Sequence, residues 1–157
     1  MFSDIVGSTP LVEALGDEAW AGLLRWHDTT MRGLASQHHG VEQDHLGDGF
    51  MFTFGSADDA IYCAREIQAT LAAHRDTSGF APQVRIGIHT TEALETTDGY
   101  AGSGVRVAAR VGSLAGGGEV VVSRATIESA SSDHRHGPFE AVEIKGASKR
   151  ADVASLS

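Results

Sequence analysis

The sequence predicts an α+β fold: a ferredoxin-like βαββαβ core extended by αβαββ, a mostly antiparallel sheet with helices packed on it. Three observations predict it. Short runs of alternating or β-branched residues are bounded by glycine-containing turns. Longer segments place apolar residues at helical spacing. The two kinds of segment follow one another in the order β-α-β-β-α-β, then α-β-α-β-β.

Met1 to Val6 reads as a strand that stops at Gly7-Ser8-Thr9-Pro10, a turn opening a helix. Asp17 is placed to cap a long helix with Trp20, Leu23, Leu24, Met31 and Leu34 on its apolar face, and Gly40 is placed to end it. Val41 to Leu46 and Phe50 to Phe54 are short strands around Gly47-Asp48-Gly49, a tight hairpin whose glycines suit positive φ. Ser56 caps a second helix, helped by Asp59, with Ala60, Cys63, Ala64, Ile67 and Leu71 facing the core.

Thr77 to Pro82 is a loop, and Val84, Ile86 and Ile88 alternate as a half-buried strand. Glu92 to Gly104 reads as a loop, and Val105 to Leu114 as a third helix broken by Gly116-Gly117-Gly118. Glu119 to Val122 is a buried strand, Ser123 caps a short helix, and Ser131 to Gly137 is a polar loop. Phe139 to Ile144 and Asp152 to Leu156 close the sheet. With no repeat and no linker, residues 1–157 read as one domain. Its opening strand of about five residues starts abruptly at Met1, as expected of a trimmed or atypical start.

Bulk composition narrows the function classes. The chain has 157 residues, 41% hydrophobic and 21% charged, enough for one real core. No apolar run reaches the ~20 residues that cross a bilayer, and no leader is evident, so a cytoplasmic address is expected. A net charge of −9 argues against nucleic-acid and anionic-membrane surfaces. It leaves a nucleoside triphosphate open, because divalent cations offset the charge of both partners. Cys63 reads as a buried thiol, and His38, His39, His134 and His136 as solvated surface.

Two carboxylates stand apart from the rest. Asp4 ends the opening strand, and Asp48 tips the hairpin whose strands neighbour that first strand in a βαββαβ unit. Their convergence would give the pair of hard oxygen ligands that magnesium needs when phosphates complete its shell. The small residues after Asp4 begin a helix, so their free backbone N–H groups suit phosphate oxygens. Turn chemistry and helix capping explain either Asp alone; the two together point to a cation site.

Several runs resemble the class III adenylyl and guanylyl cyclase catalytic domain. Phe2-Ser3-Asp4-Ile5-Val6-Gly7-Ser8-Thr9 is similar to its opening, and Leu46-Gly47-Asp48-Gly49-Phe50 to its second metal hairpin, with the two Asp positions 44 apart. Val84-Arg85-Ile86-Gly87-Ile88-His89-Thr90 resembles its R-x-G-x-H strand, with Thr91 where glycine is usual. Gly102-x-x-Val105-x-x-Ala108-Ala109-Arg110 resembles its third-helix motif. Gly117-Gly118-Glu119-Val120 to Ser123 and Ile144-Lys145-Gly146 resemble later motifs, in order along nearly the whole chain.

The resemblance implies a mechanism. Asp4, Asp48 and the Ile5 carbonyl would hold two Mg2+ or Mn2+ ions. Val6, Gly7, Ser8 and Thr9 would present backbone donors to the triphosphate. Arg110 would stabilise charge on the reacting phosphate, and Lys145 would meet the terminal phosphates. Because the metal and base halves of one site come from different chains in this family, it also implies a homodimer, or a heterodimer with a more complete cyclase chain. The substrate would be a purine nucleoside triphosphate, ATP or GTP.

Three positions depart from the pattern, all on the base and ribose side. Asp44 stands where adenylyl cyclases carry a lysine, Gly99 where Asp or Thr is usual, and Arg106 where an asparagine orients the ribose. A carboxylate only accepts hydrogen bonds, which suits the N1–H and N2–H2 donors of guanine and not adenine N1. The expectation is therefore a weak cyclase, or an inactive one serving as a dimerising nucleotide- or metal-sensing module.

Overall fold

Alternation of apolar residues in the first strands fixes which face of the sheet is covered. The computed structural model describes residues 1–92, 94–96, 99–144 and 150–157. In β1 (Phe2–Ile5), Ser3 and Ile5 are buried while Phe2 and Asp4 are half-exposed. In β3 (Gly49–Thr53), Phe50 and Phe52 are buried. Strand β4 (Val84–Ile88) contributes Val84, Ile86 and Ile88. Onto this face pack α2 (Asp17–Gln37), through Met31, Leu34 and Ala35, and α3 (Ala57–Ser78), through Ile61, Cys63, Ala64, Ile67 and Leu71. Each large aliphatic side chain taken fully out of water there stabilises the fold by about 1.5–3 kcal/mol. Burial pushes the Cys63 thiol up to about 12, so it is an inert core residue.

The main sheet has seven strands, and β2 (Val41–Leu46) forms one edge. The order is β2-β3-β1-β4-β7-β9-β8, with β7 at Val120–Ser123, β8 at Glu140–Glu143 and β9 at Arg150–Ser155. Its first four strands have the ferredoxin-like arrangement. Pairing is antiparallel except for β4 with β7. The second helix caps fall where the sequence puts them: Asp59 N donates to Ser56 Oγ, and Thr126 N to Ser123 Oγ at the start of α5 (Arg124–Ser129).

Helix α4 (Ser103–Leu114) lies on the opposite face, where Val111 and Ala115 pack with Val121 and Val153. Its approach depends on a glycine of β4. A Cβ on Gly87 would sit 2.1 Å from the Gly112 nitrogen, so only a bare Cα admits the helix against β4.

Four local expectations change. The first helical segment is two helices, α1 (Ser8–Leu15) and α2, broken at Gly16 with φ 77° and ψ 164°, and Asp17 lies inside α2 without capping it. The left-handed residue after α2 is His39 at φ 60°, not Gly40. Gly40 is instead needed because a Cβ there would lie 2.6 Å from the Phe54 ring. Residues expected as a loop contain a small hairpin, β5 (Leu94–Thr96) and β6 (Gly99–Ala101).

The fourth change concerns His134, which is buried rather than solvated. Its Nε2 lies 2.7 Å from Asp58 Oδ1, and its Nδ1 lies 3.1 Å from Arg65 Nη1. A guanidinium only donates, so Nδ1 accepts and the proton sits on Nε2. Arg65 also donates to the Ser157 carbonyl at 2.7 Å, tying the chain's last strand region to α3.

Candidate functional site

The register of three strands assembles the candidate site. Ser3 pairs with Phe50, which sets Asp4 beside Gly49, one residue from Asp48. A Cβ on Gly49 would come within 3.2 Å of the Ser3 carbonyl oxygen and 3.7 Å of Asp4 Oδ1. Gly47 takes φ 65° to turn the hairpin tightly. Both acids therefore stand at adjoining strand ends. Asp48 Oδ2 is buried and has no hydrogen-bond partner among the described residues.

A buried carboxylate oxygen left without a donor is costly, and a cation is what relieves that cost. Two carboxylates alone do not fill a magnesium shell. The remaining oxygens must come from backbone carbonyl, water or phosphate, which matches an ion carried in with a nucleotide. Among the described residues no cluster of three or more His, Cys, Asp and Glu is positioned to hold a metal unaided. The residues present thus fit a phosphate-bridged cation and not a permanently caged one.

Asp4 also has a partner that sequence reasoning passed over. Asp4 and Arg85 are directly opposed on β1 and β4. Arg85 Nε donates to Asp4 Oδ2 at 3.0 Å, and Nη2 donates to the same oxygen. Arg85 was legible only as part of a motif, because the cross-strand register that aims it at Asp4 is not written locally.

Asp4, Asp44, Gly49, Arg85, Ala109 and Ser113 line a cleft of about 230 Å³; Asp48 is not on its walls, and its charge acts on His27 of α2. Asp44 reaches the cleft because of a bulge between Glu42 and Asp44 in β2. Glu42 bonds Arg32 of α2 at 2.6 Å, and His45 lies 3.4 Å from Asp28 of α2 and stacks on Phe50. Residues three apart share the α2 side only because the bulge resets the alternation, and this leaves Asp44 and Leu46 facing the cleft. Leu46 is 76% exposed.

The other expected positions are spread more widely. Val6, Gly7 and Thr9 are exposed and Ser8 half-buried at the start of α1, where Gly7 (φ 67°) caps the helix without any side-chain hydrogen bond. Ile5 is buried, with its neighbour Val6 N donating to the Gln83 carbonyl at 2.8 Å. Arg106 and Arg110 are exposed on one side of α4, four residues apart, and Arg110 Nη1 donates to the cleft residue Ser113 at 3.3 Å. Gly99 pairs with Thr96 in the small hairpin. Lys145 lies outside the described residues.

An antiparallel-rich α+β domain with paired acids at a hairpin tip and an open cleft defines a class, and comparison with known proteins names it. A family model, the adenylate and guanylate cyclase catalytic domain, matches residues 1–154. The chain belongs to this family, that of the class III nucleotide cyclases. An uncharacterized protein of Mycobacterium tuberculosis is 33% identical over 129 residues, 80% of this chain and 42% of that protein. Putative adenylate cyclase 3 of Rhizobium meliloti is 34% identical over 124 residues, 77% of this chain and 21% of that protein. The chain thus spans less than half the length of these relatives.

Solved structures show the same fold. An adenylate cyclase from Trypanosoma brucei superposes with a TM-score of 0.86 at 24% identity, covering 99% of this chain and 85% of that one. The adenylyl cyclase CyaB from P. aeruginosa gives 0.83 at 23% identity, covering 99% and 91%.

Proposed function

We propose that this domain converts a purine nucleoside triphosphate to the 3′,5′-cyclic monophosphate and pyrophosphate, slowly, at a site completed by a second chain. The observation that supports the reading is the buried Asp48 oxygen, without a hydrogen-bond partner among the described residues, one residue from Gly49, which packs against Asp4 in the cleft. Asp4, Asp48 and the Ile5 carbonyl hold two Mg2+ or Mn2+ ions. Such ions lower the pKa of the ribose 3′-hydroxyl and offset charge on the α-phosphate. The backbone N–H groups of Gly7, Ser8 and Thr9, at the uncapped start of α1, bind the triphosphate; that of Val6, expected to join them, is already given to the Gln83 carbonyl. Arg110 stabilises the charge that develops on the reacting phosphate, and Lys145 holds the terminal phosphates.

Two chains follow from the family resemblance, in which the metal and base halves of one site come from different chains, and the exposure of Arg110 on α4 agrees with it. A homodimer supplies both halves; a heterodimer with a more complete cyclase chain would restore one base half. A guanylate cyclase domain from Catenaria anguillulae, solved in complex with GTP, has a TM-score of 0.83 to this chain and supports a nucleotide at this fold. Asp44, as an acceptor facing the cleft, suits GTP better than ATP. Among the described residues no helix is long and apolar enough to cross a membrane. A cytoplasmic setting, where nucleoside triphosphates are made, agrees with the proposal.

A second reading rests on Asp44, Gly99 and Arg106: the domain binds nucleotide or metal as a dimeric regulatory module without turnover. Each lost hydrogen bond to base or ribose costs about 1–3 kcal/mol, so three together lower rates by orders of magnitude. One assay separates the readings. Purified protein with Mn2+ and either ATP or GTP should give slow cyclic product, with GTP preferred, and Asp48→Ala should abolish it. The triple variant Asp44→Lys, Gly99→Asp, Arg106→Asn should turn over ATP faster. No product from wild type with either nucleotide, combined with product from the triple variant, establishes the regulatory reading.

A further inference from the structure

Resting on the reading of Asp4 and Asp48 as a cation site, we propose that Arg85 is the built-in counter-ion of that site. It holds one oxygen of Asp4 when no cation is bound and weakens cation binding there until it moves off. Cation and anion binding in the cleft are then coupled through one guanidinium.

The geometry is specific. Arg85 and Asp4 are opposed residues of adjacent antiparallel strands, and both the Nε and the Nη2 of Arg85 donate to Oδ2. Two donors of one guanidinium converge on a single carboxylate oxygen in a charge-assisted pair. The other oxygen, Oδ1, lies toward Gly49 and the hairpin tip. Asp4 thus presents one oxygen to the turn that carries Asp48, while its second is held by a fixed positive charge. A divalent cation at Asp4 would sit within a few ångströms of that guanidinium, and like charges at such range repel.

Two observations make the pair reversible. It is partly open to solvent, with side-chain exposures of 34% for Arg85 and 37% for Asp4. Both residues also line the cleft, so a guanidinium that swings off Asp4 stays inside it. An anion in the cleft gives the released guanidinium a new partner. By linkage, whatever anion draws Arg85 away raises the affinity of Asp4 for cation, and cation binding raises the affinity for anion by the same factor. Among the described residues Asp48 has no such counter-ion, and its buried oxygen has no hydrogen-bond partner. The two acids are therefore prepared differently, Asp48 open and Asp4 latched.

The test measures Mn2+ binding to nucleotide-free protein, by electron paramagnetic resonance of free Mn2+ or by calorimetry. An exposed ion pair modulates affinity modestly, so Arg85→Gln should bind Mn2+ about two- to fivefold tighter than wild type. Arg85→Lys, which keeps the charge, should stay close to wild type. Sulfate, a weakly chelating anion, should raise the Mn2+ affinity of wild type and not of Arg85→Gln. In an Asp4→Asn background, Arg85→Gln should change nothing. Equal or weaker Mn2+ binding by Arg85→Gln, at a site that Asp48→Asn still abolishes, overturns this inference alone. Mn2+ binding that ignores Asp48→Asn overturns the cation-site reading and this inference with it.

Discussion

Gly87 of β4 and Gly112 of α4 meet backbone to backbone, yet the contact is not symmetric. A Cβ on Gly87 would lie 2.1 Å from Gly112 N, whereas a Cβ on Gly112 would meet Phe2 Cβ at 3.4 Å and Gly87 N at 3.7 Å. The first is a collision with backbone; the second is ordinary contact. Gly87→Ala is therefore expected to lift α4 from the sheet and cost about 1–3 kcal/mol. Gly112→Ala should be neutral or stabilising, because alanine favours a helix interior by about 1 kcal/mol over glycine. Denaturant melts of the two variants check the contrast.

Asp48 should trade stability for ligand binding. Its Oδ2 is buried without a donor, so Asp48→Asn removes a desolvated charge. The metal-free variant is expected to be more stable than wild type by about 1 kcal/mol, read by calorimetry in the presence of a chelator. Added Mn2+ should raise the melting temperature of wild type and leave the variant unmoved.

Acid should weaken the tether between α3 and the 131–136 loop. The backbone N–H of Ser131 and the ring of His134, with the N–H of Ser132, hold the Asp58 carboxyl at about 2, below its ordinary 3.8. A carboxyl with a lowered folded pKa supports the fold above pH 3.8 and loses that support as pH falls toward 2. Wild type should lose stability across that interval faster than Asp58→Asn, in urea titrations at successive pH values.

A second pH effect belongs to His27, which is completely buried. Burial holds its imidazole below the usual 6.5, against the opposing hydrogen bond that its Nδ1 makes to the Asp28 carboxylate. The folded chain keeps it neutral while the unfolded chain protonates it, so stability is full above pH 6.5 and falls below. His27→Gln should show a smaller loss between pH 7.5 and 5.5 in denaturant midpoints. Part of the slope should persist, since burial also lowers His89.

Strand and helix positions were legible because their signals are local. Alternation at Val84, Ile86 and Ile88, and helical spacing from Ala60 to Leu71, each name their own buried face. The site's acids were legible from motifs at a strand end and a hairpin tip. What escaped depends on contacts between distant segments. Arg85 meets Asp4 only through an 81-residue register, and Gly40 is required by the Phe54 ring rather than by a helix end. His134 looked like surface because its neighbours are polar, but Asp58 and Arg65 arrive from α3 to enclose it.

The mounting of α4 constrains how the protein can move. The helix is pinned near its last turn by Gly87 and at its start by Thr91, whose side chain lies 2.3 Å from where a Gly104 Cβ would be. Those anchors are eight residues apart, about 12 Å along the axis. A rod seated at two points through its glycine side resists tilting, sliding and rolling, because each would drive a side chain into those contacts. Arg110, between the anchors, is therefore aimed by the scaffold, and its remaining freedom is that of its own side-chain torsions.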